Sequence, residues 1–426
     1  MTFLRGLLAA RGHLAFLVGL TAAFLTVRGL PLRGPAAALD PRERALAKAA
    51  WSYFARNTDP VTGFASSVKG HPATTMWDLG SQLLGVLAAE DLGLVHAREA
   101  SELLGRALES LAHLPLCEGL PAKVYDTRTL TMVDYDGRPA PGGLGWSALD
   151  IARVLAPLSL VAWRHPELAG AARTAVSRWR LAALSDDASL VGASRGPDGN
   201  LVLHQEGRLG YEQHAAKDLL AWGVPVAPLV DYRAHAITAD VHGVPVPRDD
   251  RRPADHGGAR APVLSEPWIL DALENGFDAV TLPAARALLA AQRRRFEETG
   301  RLTAVSEDHL DRAPWFSYSA VLDGDDVWSA RAPDGSPAPD ALTLSTKAAV
   351  AWGVLFAGDY PDRLLAAAAA LVVPGEGLLA GRYDRTGEPN RALALNTNAV
   401  VLEALAYRVR GPARAPRRLA MPEARR

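Results

Sequence analysis

The sequence predicts an all-α fold, an (α/α)6 barrel in which six helical hairpins close into a ring. Two observations support this prediction. Apolar residues recur at spacings of three and four along most of the chain, and the connections between these segments alternate between short and long. Strand-like alternation of apolar and polar residues is scarce. A length of 426 residues suits one large repeat-built domain.

Helical periodicity predicts helices at 42–57, 79–91, 97–113, 147–164, 167–182, 209–222, 225–235, 266–276, 283–299, 343–357, 360–371 and 393–408. The long connections are 58–78, 114–146, 183–208, 236–265, 300–342 and 372–392. Each of them leads into the amino end of a helix that we assign to the inner ring. Loops this long are usually functional, and here they would gather on one face and build a cleft. An open α-solenoid is the alternative, but the chain has no repeat of fixed period.

The two ends of the chain differ from the predicted barrel domain, residues 40–409. Residues 1–39 read as a signal peptide or membrane anchor, because the uncharged apolar run 14–27 follows Arg5 and Arg11. That run is short for a spanning helix, which needs roughly 20 residues. Both readings predict a periplasmic or cell-envelope protein that contacts the membrane through this segment. Residues 410–426 are rich in Arg and Pro and predict a disordered tail.

Composition and motifs exclude several classes of function. The net charge is -1, from 46 basic and 47 acidic residues, so nothing drives the chain toward nucleic acid. The single cysteine, Cys117, rules out an internal disulfide and a cysteine-based metal cluster. The chain contains no HExxH, GxxxxGK[ST] or GxSxG motif. We therefore expect no metal and no cofactor.

Acidic and aromatic residues gather at the predicted starts of the inner helices. Glycoside hydrolysis needs one carboxylic acid to protonate the leaving oxygen and one carboxylate to activate water or attack the sugar. Aromatic rings, amides and charged side chains can hold the sugar itself. The catalytic candidates are Asp78, Asp150, Glu206 and Glu307. The substrate-binding candidates are Trp77, Lys123, Tyr125, Trp146, Tyr211, Glu212, Glu266, Trp315, Tyr318, Arg382 and Asn398.

Five segments carry a resemblance to known families: 74–94 (TTMWDLGSQLLGVLAAEDLGL), 145–155 (GWSALDIARVL), 206–216 (EGRLGYEQHAA), 264–276 (LSEPWILDALENG) and 395–407 (LNTNAVVLEALAY). With these motifs in order, the chain resembles a bacterial family of exported proteins known as a domain of unknown function. The first two motifs are also similar to inner-helix starts of glycoamylase-like and β-1,2-glucanase (α/α)6 barrels. The resemblance implies a glycoside hydrolase-like protein of the cell envelope.

The first functional hypothesis is an exported glycoside hydrolase that acts on a β-glucan or an envelope polysaccharide. Glu206 would be the general acid, and Asp150 or Glu307 would be its ionised partner. The resemblance implies an inverting mechanism. The alternative is a non-catalytic polysaccharide-binding or exopolysaccharide assembly factor on the same fold, whose carboxylates would be tied up in arginine pairs.

Overall fold

The computed structural model describes residues 30–186, 189–196, 198–255 and 260–414. Its α-helices in chain order are α1 (Pro41–Asn57), α2 (Met76–Asp91), α3 (Ala97–His113), α4 (Ala148–Arg164), α5 (Ala169–Val176), α6 (Tyr211–Ala221), α7 (Glu266–Asn275), α8 (Thr281–Thr299), α9 (Thr346–Leu355), α10 (Asp359–Ala369) and α11 (Leu395–Arg410). Short 3-10 turns occur at Pro166–Leu168, Leu181–Leu184, Ala227–Val230, Tyr232–His235, Pro253–Asp255 and Pro339–Ala341.

The strands are short and lie mainly in the long connections. They are β1 (Ala73–Thr75), β2 (Leu116–Cys117), β3 (Leu120–Pro121), β4 (Val124–Asp126), β5 (Val191–Arg195), β6 (Leu201–Gln205), β7 (Ala236–Val241), β8 (Val244–Asp249), β9 (Glu307–His309), β10 (Phe316–Asp323), β11 (Asp326–Arg331), β12 (Thr343–Ser345), β13 (Val372–Val373), β14 (Gly377–Tyr383) and β15 (Pro389–Leu393). The largest sheets join β9, β10 and β11, and β12, β13, β14 and β15. All pairings within these sheets are antiparallel.

The inner helices form a closed ring. Helix α2 packs against α4, α4 against α6, α6 against α7, α7 against α9, α9 against α11, and α11 against α2. The first helix of the chain, α1, packs on the outside of α11. Two of the ring helices approach so closely at Gly80 that a Cβ there would lie 2.4 Å from the Arg153 carbonyl oxygen. Glycine at this position therefore lets the backbones of α2 and α4 approach each other closely.

Local sequence signals set where the helices begin. Asp40 and Glu43 form a capping box at α1, with Pro41 as its first residue. Thr75 caps α2 and Ser147 caps α4, each through its side-chain oxygen. These caps fix the amino ends of inner helices, and the long connections bring the candidate site residues to these same ends.

The fold is mainly α, and the prediction of a purely α protein is wrong in one respect. The long connections carry antiparallel strands, which the low strand periodicity did not indicate. The predicted helix 225–235 is also wrong, because the chain there forms the two 3-10 turns Ala227–Val230 and Tyr232–His235. Pro225 and Pro228 lie in this stretch, and proline removes the amide hydrogen that a helix needs.

The residues before and after the barrel pack against its helices. Arg33 N–H donates to the Leu355 carbonyl at 2.9 Å, and Ala36 N–H donates to the Arg408 carbonyl at 2.8 Å. At the other end, Ala413 N–H donates to the Leu273 carbonyl at 2.9 Å, and the Arg414 guanidinium pairs with buried Asp218. Residues 410–414 are thus ordered, contrary to the predicted tail, while 415–426 lie outside the described residues.

Among the described residues, no helix has the length and apolar content to cross a membrane. The apolar run 14–27 that predicts a signal peptide or anchor lies outside them.

Candidate active site

Two carboxylates meet at the first turn of α4. Ser147 caps this helix and accepts a hydrogen bond from Asp150 N–H at 3.1 Å. The side chain of Glu206, which follows β6, reaches the same turn, where its Oε2 accepts a hydrogen bond from Ala148 N–H. An anionic oxygen is favoured there because the amino end of a helix carries partial positive charge. The sequence-predicted pair Asp150 and Glu206 is therefore brought together.

The environment of Asp150 favours its protonated form. Burial raises the pKa of Asp150 to about 8, and the charge of Glu206 adds to the increase. The Ser147 hydrogen bond and the ammonium of Lys123 oppose this shift without cancelling it. Lys123 itself donates to Ser194 Oγ at 2.8 Å. The raised pKa of Asp150 makes its carboxyl group a candidate proton donor at neutral pH.

A third carboxylate, Glu307 on β9, belongs to the fifth long connection. Its Oε2 accepts a hydrogen bond from the Tyr211 hydroxyl at 2.6 Å. Burial raises the pKa of Glu307 to about 7, helped by the negative charge of Glu266 and opposed by Lys347 and by the Tyr211 hydrogen bond. Within the described residues, Asp150, Glu206 and Glu307 form no ion pair with Arg or Lys.

Tyr318 on β10 is affected by the charges of both the Asp150–Glu206 pair and Glu307. Burial raises its pKa well above the usual range, and the charges of Glu307, Asp150 and Glu206 raise it further. Trp77 is half-buried, and its ring meets the Tyr211 ring edge-on at 5.7 Å. The charges of Asp150, Glu206 and Glu307 all act on Tyr318, which groups the three carboxyl groups into one candidate site on the long-connection face of the ring.

Two of the long connections carry exposed aromatic side chains. Trp315 precedes β10, is 64% exposed and has a φ of 69°, a left-handed conformation that is uncommon outside glycine. Tyr135, in the second long connection, is 63% exposed and was not among the candidates chosen from the sequence. Arg382 is half-buried on β14. Exposed rings of this kind can stack on the apolar faces of sugars.

Four predicted sugar contacts need correction, because their side chains are buried and engaged within the protein. The Tyr125 hydroxyl donates to the Pro115 carbonyl at 2.7 Å, and Glu212 pairs with Arg251 at 2.9 Å. Asn398 donates to the Ala394 carbonyl at 2.8 Å. Glu266 is 0% exposed and pairs with Lys347 at 2.7 Å. The side chains of these four residues therefore offer no surface to a sugar.

Two further candidates also have clear partners inside the protein. Asp78 accepts hydrogen bonds from Ser67 at 2.5 Å and from Thr75 at 2.8 Å, which ties it to the start of α2. Trp146 is 6% exposed and donates from Nε1 to the Val191 carbonyl at 3.2 Å. The contacts of Asp78 hold the start of α2, and the contact of Trp146 joins the residue before the α4 cap to β5.

Lys347 could not be singled out from the sequence, although it lies with Glu266 and Asp308 in one group of buried charges. Lys347 is 2% exposed in the first turn of α9, and Asp308 is 2% exposed beside Glu307. Burial raises the pKa of Asp308 to about 7, and Lys347 counters that effect. Lys347 escaped notice because it lies in an otherwise apolar helical segment.

A separate charged cluster occupies the interior of the barrel. His214, Asp218 and Glu274 are buried and close enough to hold a metal ion. However, Arg153 pairs with Glu274, and Arg414 pairs with Asp218, so guanidinium groups already neutralise both carboxylates. His214 Nε2 lies 3.1 Å from Glu274 Oε2. We interpret this cluster as a structural ion network.

Several solved structures are similar to this chain in fold. A glucoamylase-like protein of Bacteroides fragilis matches with a TM-score of 0.60 and 13% identity, covering 88% of this chain and 95% of that one. An endo-β-1,2-glucanase of Chitinophaga pinensis, in complex with sophorotriose and glucose, matches with a TM-score of 0.60 and 10% identity, covering 88% and 94%. An endo-β-1,2-glucanase of Talaromyces funiculosus matches with a TM-score of 0.53 and 10% identity, covering 87% and 84%.

At these identities the similarity establishes a shared (α/α)6 barrel fold and nothing finer. The chain has no match among curated protein sequences. One protein family matches residues 45–411, which include every helix of the ring. The chain therefore belongs to the family described as Protein of unknown function (DUF3131).

Proposed function

We propose that this protein is a glycoside hydrolase that cleaves a β-glucan or an envelope polysaccharide. The observation that carries the proposal is the Asp150–Glu206 pair at the first turn of α4, where Glu206 Oε2 accepts a hydrogen bond from Ala148 N–H and the pKa of Asp150 is raised to about 8. Glu307, whose pKa is raised to about 7, is the third acidic residue of the site. Neighbouring carboxyl groups with different protonation states are what acid–base cleavage of a glycosidic bond requires. Support also comes from the fold, which is shared with β-1,2-glucanases.

The roles within the site follow from the environment of each carboxyl group. Asp150 is the better proton donor, because its pKa is about 8 and Glu206 accepts a hydrogen bond from Ala148 N–H. This differs from the sequence-based assignment of Glu206 as the acid. In our proposal Glu206 keeps the proton on Asp150 and helps to stabilise positive charge on the sugar. Glu307, with a pKa of about 7, activates the water.

In this scheme the proton of Asp150 passes to the leaving glycosidic oxygen as the bond to the anomeric carbon breaks. Water attacks that carbon and gives its proton to Glu307. A single displacement inverts the anomeric configuration, as the family resemblance implies. Proton NMR of the first products would detect the inverted anomer.

The alternative, a polysaccharide-binding or assembly factor, requires no ionisable pair free to exchange protons. It would fit a cleft whose carboxylates are all neutralised by basic side chains. The structure places Glu212 and Glu266 in such pairs, but Asp150, Glu206 and Glu307 have none within the described residues. This contrast favours hydrolysis.

A polysaccharide panel that includes β-1,2-glucan tests the proposal, with release of reducing ends as the readout. Asp150→Asn and Glu206→Gln should each abolish cleavage while leaving the melting temperature near that of the wild type. Trp163→Phe is the matched control and should retain full activity, because Trp163 is 51% exposed in the last turn of α4, at the opposite end of the helix from Asp150. Cleavage that survives in both carboxylate variants would reject the proposed site.

We also propose that the protein acts in the periplasm or cell envelope. The support is the sequence of residues 1–39, with Arg5 and Arg11 before the apolar run 14–27. A fusion of residues 1–45 to a reporter that is active only after export would test this proposal. No reporter activity would contradict it.

A further inference from the structure

Burial alternates residue by residue along β10. Phe316 and Tyr318 are half-buried, whereas Ser317 and Ser319 are buried. The hydroxyls of the two serines donate to the Ala341 carbonyl, at 3.1 and 3.4 Å, so this face of the strand packs on the body of the protein. Since alternate side chains of a strand point to opposite faces, Phe316 and Tyr318 lie together on the outer face.

The neighbouring strand β9 presents two more side chains on that outer face. In the antiparallel register Tyr318 lies opposite Glu307, and Phe316 lies opposite His309. Directly opposed residues share a face of the sheet. Glu307 and His309 are accordingly half-buried, while Asp308 between them is buried. We call Glu307, His309, Phe316 and Tyr318 the β9–β10 strip.

The rings of the β9–β10 strip contact one another in a row. Phe316 meets His309 edge-on with the ring centroids 5.0 Å apart, and it meets Tyr318 edge-on at 5.3 Å. At the end of the row, Glu307 accepts the hydrogen bond from the Tyr211 hydroxyl at 2.6 Å. Because each ring is held by its neighbour, little side-chain freedom would be lost when a ligand stacked on the row. The strip is therefore a preorganised aromatic surface next to a proposed catalytic carboxylate.

The chemistry of the strip matches that of a sugar. Its rings supply apolar area, while the Tyr318 hydroxyl, the His309 imidazole and the Glu307 carboxylate supply polar groups along the same row. A sugar ring is divided in the same way, with C–H groups on its faces and hydroxyls around its edge. Sites for such ligands combine aromatic side chains with a few well-placed polar groups. Two residues of an antiparallel strand span about 6.8 Å, which leaves room for one sugar ring.

The exposed Trp315 precedes Phe316 at the end of the strip. The turn 310–315 fixes its backbone, since Leu310 N–H donates to the Trp315 carbonyl at 2.8 Å and Trp315 N–H donates to the Arg312 carbonyl at 2.9 Å. A left-handed backbone at a residue other than glycine costs free energy, and such residues cluster at ligand-binding sites. Trp315 therefore adds one exposed ring at the end of the strip that is remote from Glu307.

We propose that the β9–β10 strip binds a second sugar unit, beside the sugar that reacts at Glu307, and that the protein therefore selects saccharide chains over disaccharides. This inference rests on the proposed function, because Glu307 is the proposed water-activating residue. Contacts with a remote sugar supply binding free energy that can be used at the reacting bond. A substrate too short to reach the strip should thus lose kcat as well as affinity.

The test compares the wild type with Phe316→Leu, which removes the ring and keeps an apolar side chain. The substrates are the disaccharide and the tetrasaccharide prepared from the polymer that the wild type cleaves. In the wild type, kcat/KM should be higher on the tetrasaccharide. F316L should lower that value by about 3- to 10-fold, as expected for one aromatic contact, and should leave the value on the disaccharide unchanged. Phe316→Tyr keeps the ring and should behave like the wild type.

Phe296→Leu is the matched control. Phe296 on α8 is also half-buried, and its ring centroid lies 5.7 Å from that of Tyr360 on α10. This variant should leave both kcat/KM values unchanged. Equal values on the two substrates in the wild type would overturn the inference. An equal loss on both substrates in F316L would also overturn it, because that result indicates a structural role for the ring.

A second measurement needs no cleavage. Affinity electrophoresis in gels that contain β-1,2-glucan or another polymer of the panel compares Asp150→Asn with Asp150→Asn/Phe316→Leu. The apparent Kd should rise by about 3- to 10-fold in the double variant. Weaker binding by the double variant, without cleavage by the wild type, would reject the proposed function and leave the strip as a saccharide-binding surface. Cleavage by the wild type with equal binding by the two variants would reject the strip alone, and the absence of both binding and cleavage would overturn both proposals.

Discussion

Gly192→Ala should lower the proposed hydrolase activity without unfolding the protein. Gly192 lies on β5 opposite His204 on β6, just beneath Glu206. A Cβ at this position would lie 2.7 Å from Glu206 Oε2 and 2.9 Å from its Cδ. Because ordinary contact begins at 3.4 Å, the carboxylate would have to retreat by about 0.7 Å. That movement would break its hydrogen bond with Ala148 N–H.

The expected loss follows from how sharply catalysis depends on position. A displacement of about 1 Å at a reacting group can lower the rate by about 100-fold. We therefore expect kcat to fall by about 10- to 100-fold, which corresponds to roughly 1.4 to 2.7 kcal/mol in the activation free energy. The fold should tolerate the change, because the displaced atoms are the end of a flexible side chain.

The assay measures kcat and KM on the polysaccharide that the wild type cleaves, together with the melting temperature. Gly170→Ala on α5 is the control, since a Cβ there meets nothing within 4 Å. It should keep full activity. If G192A keeps the wild-type kcat while Glu206→Gln is inactive, the position of the Glu206 carboxylate at the first turn of α4 does not matter for catalysis, and the reasoning is refuted.

Three other outcomes are expected. Activity should be highest between about pH 7 and about pH 8, because Glu307 must lose its proton and Asp150 must keep its own; a flat profile from pH 6 to 9 would contradict this. Arg414→Gln should lower the free energy of unfolding by about 3 kcal/mol, because it leaves Asp218 buried without its guanidinium partner. Urea titration measures this free energy, and an unchanged value would refute the pairing. Trp315→Ala should raise KM several-fold with little change in kcat or melting temperature, whereas an unchanged KM would remove Trp315 from the binding surface.

The ring could be predicted because its signals are local. Helix periodicity and the lengths of the connections can be read directly from the sequence, and together they indicate which helices face inward. The strands could not be predicted in the same way. Strand β12 has three residues and pairs with β14, which follows it only after two further helices. Such short strands depend on tertiary pairing more than on their own sequence.

The candidate site could likewise be predicted only in part. Asp150 and Glu206 could be identified because each lies next to the amino end of an inner helix, where the long connections converge. Their protonation could not be deduced, since it depends on burial and on the contact of Glu206 with Ala148. The ion pair of Lys347 with Glu266 could not be predicted either, because the two residues lie on different helices that meet only when the ring closes.

The central claim is that the Asp150–Glu206 pair and Glu307 cleave a glycosidic bond. The most direct test is the time course of reducing ends and product sizes from a polysaccharide panel, with the wild type and Asp150→Asn compared side by side. We expect cleavage of at least one β-glucan or envelope polymer by the wild type and none by D150N. Retardation on a polymer in affinity electrophoresis, with no cleavage of any polymer by the wild type, would contradict it and indicate a binding or assembly factor.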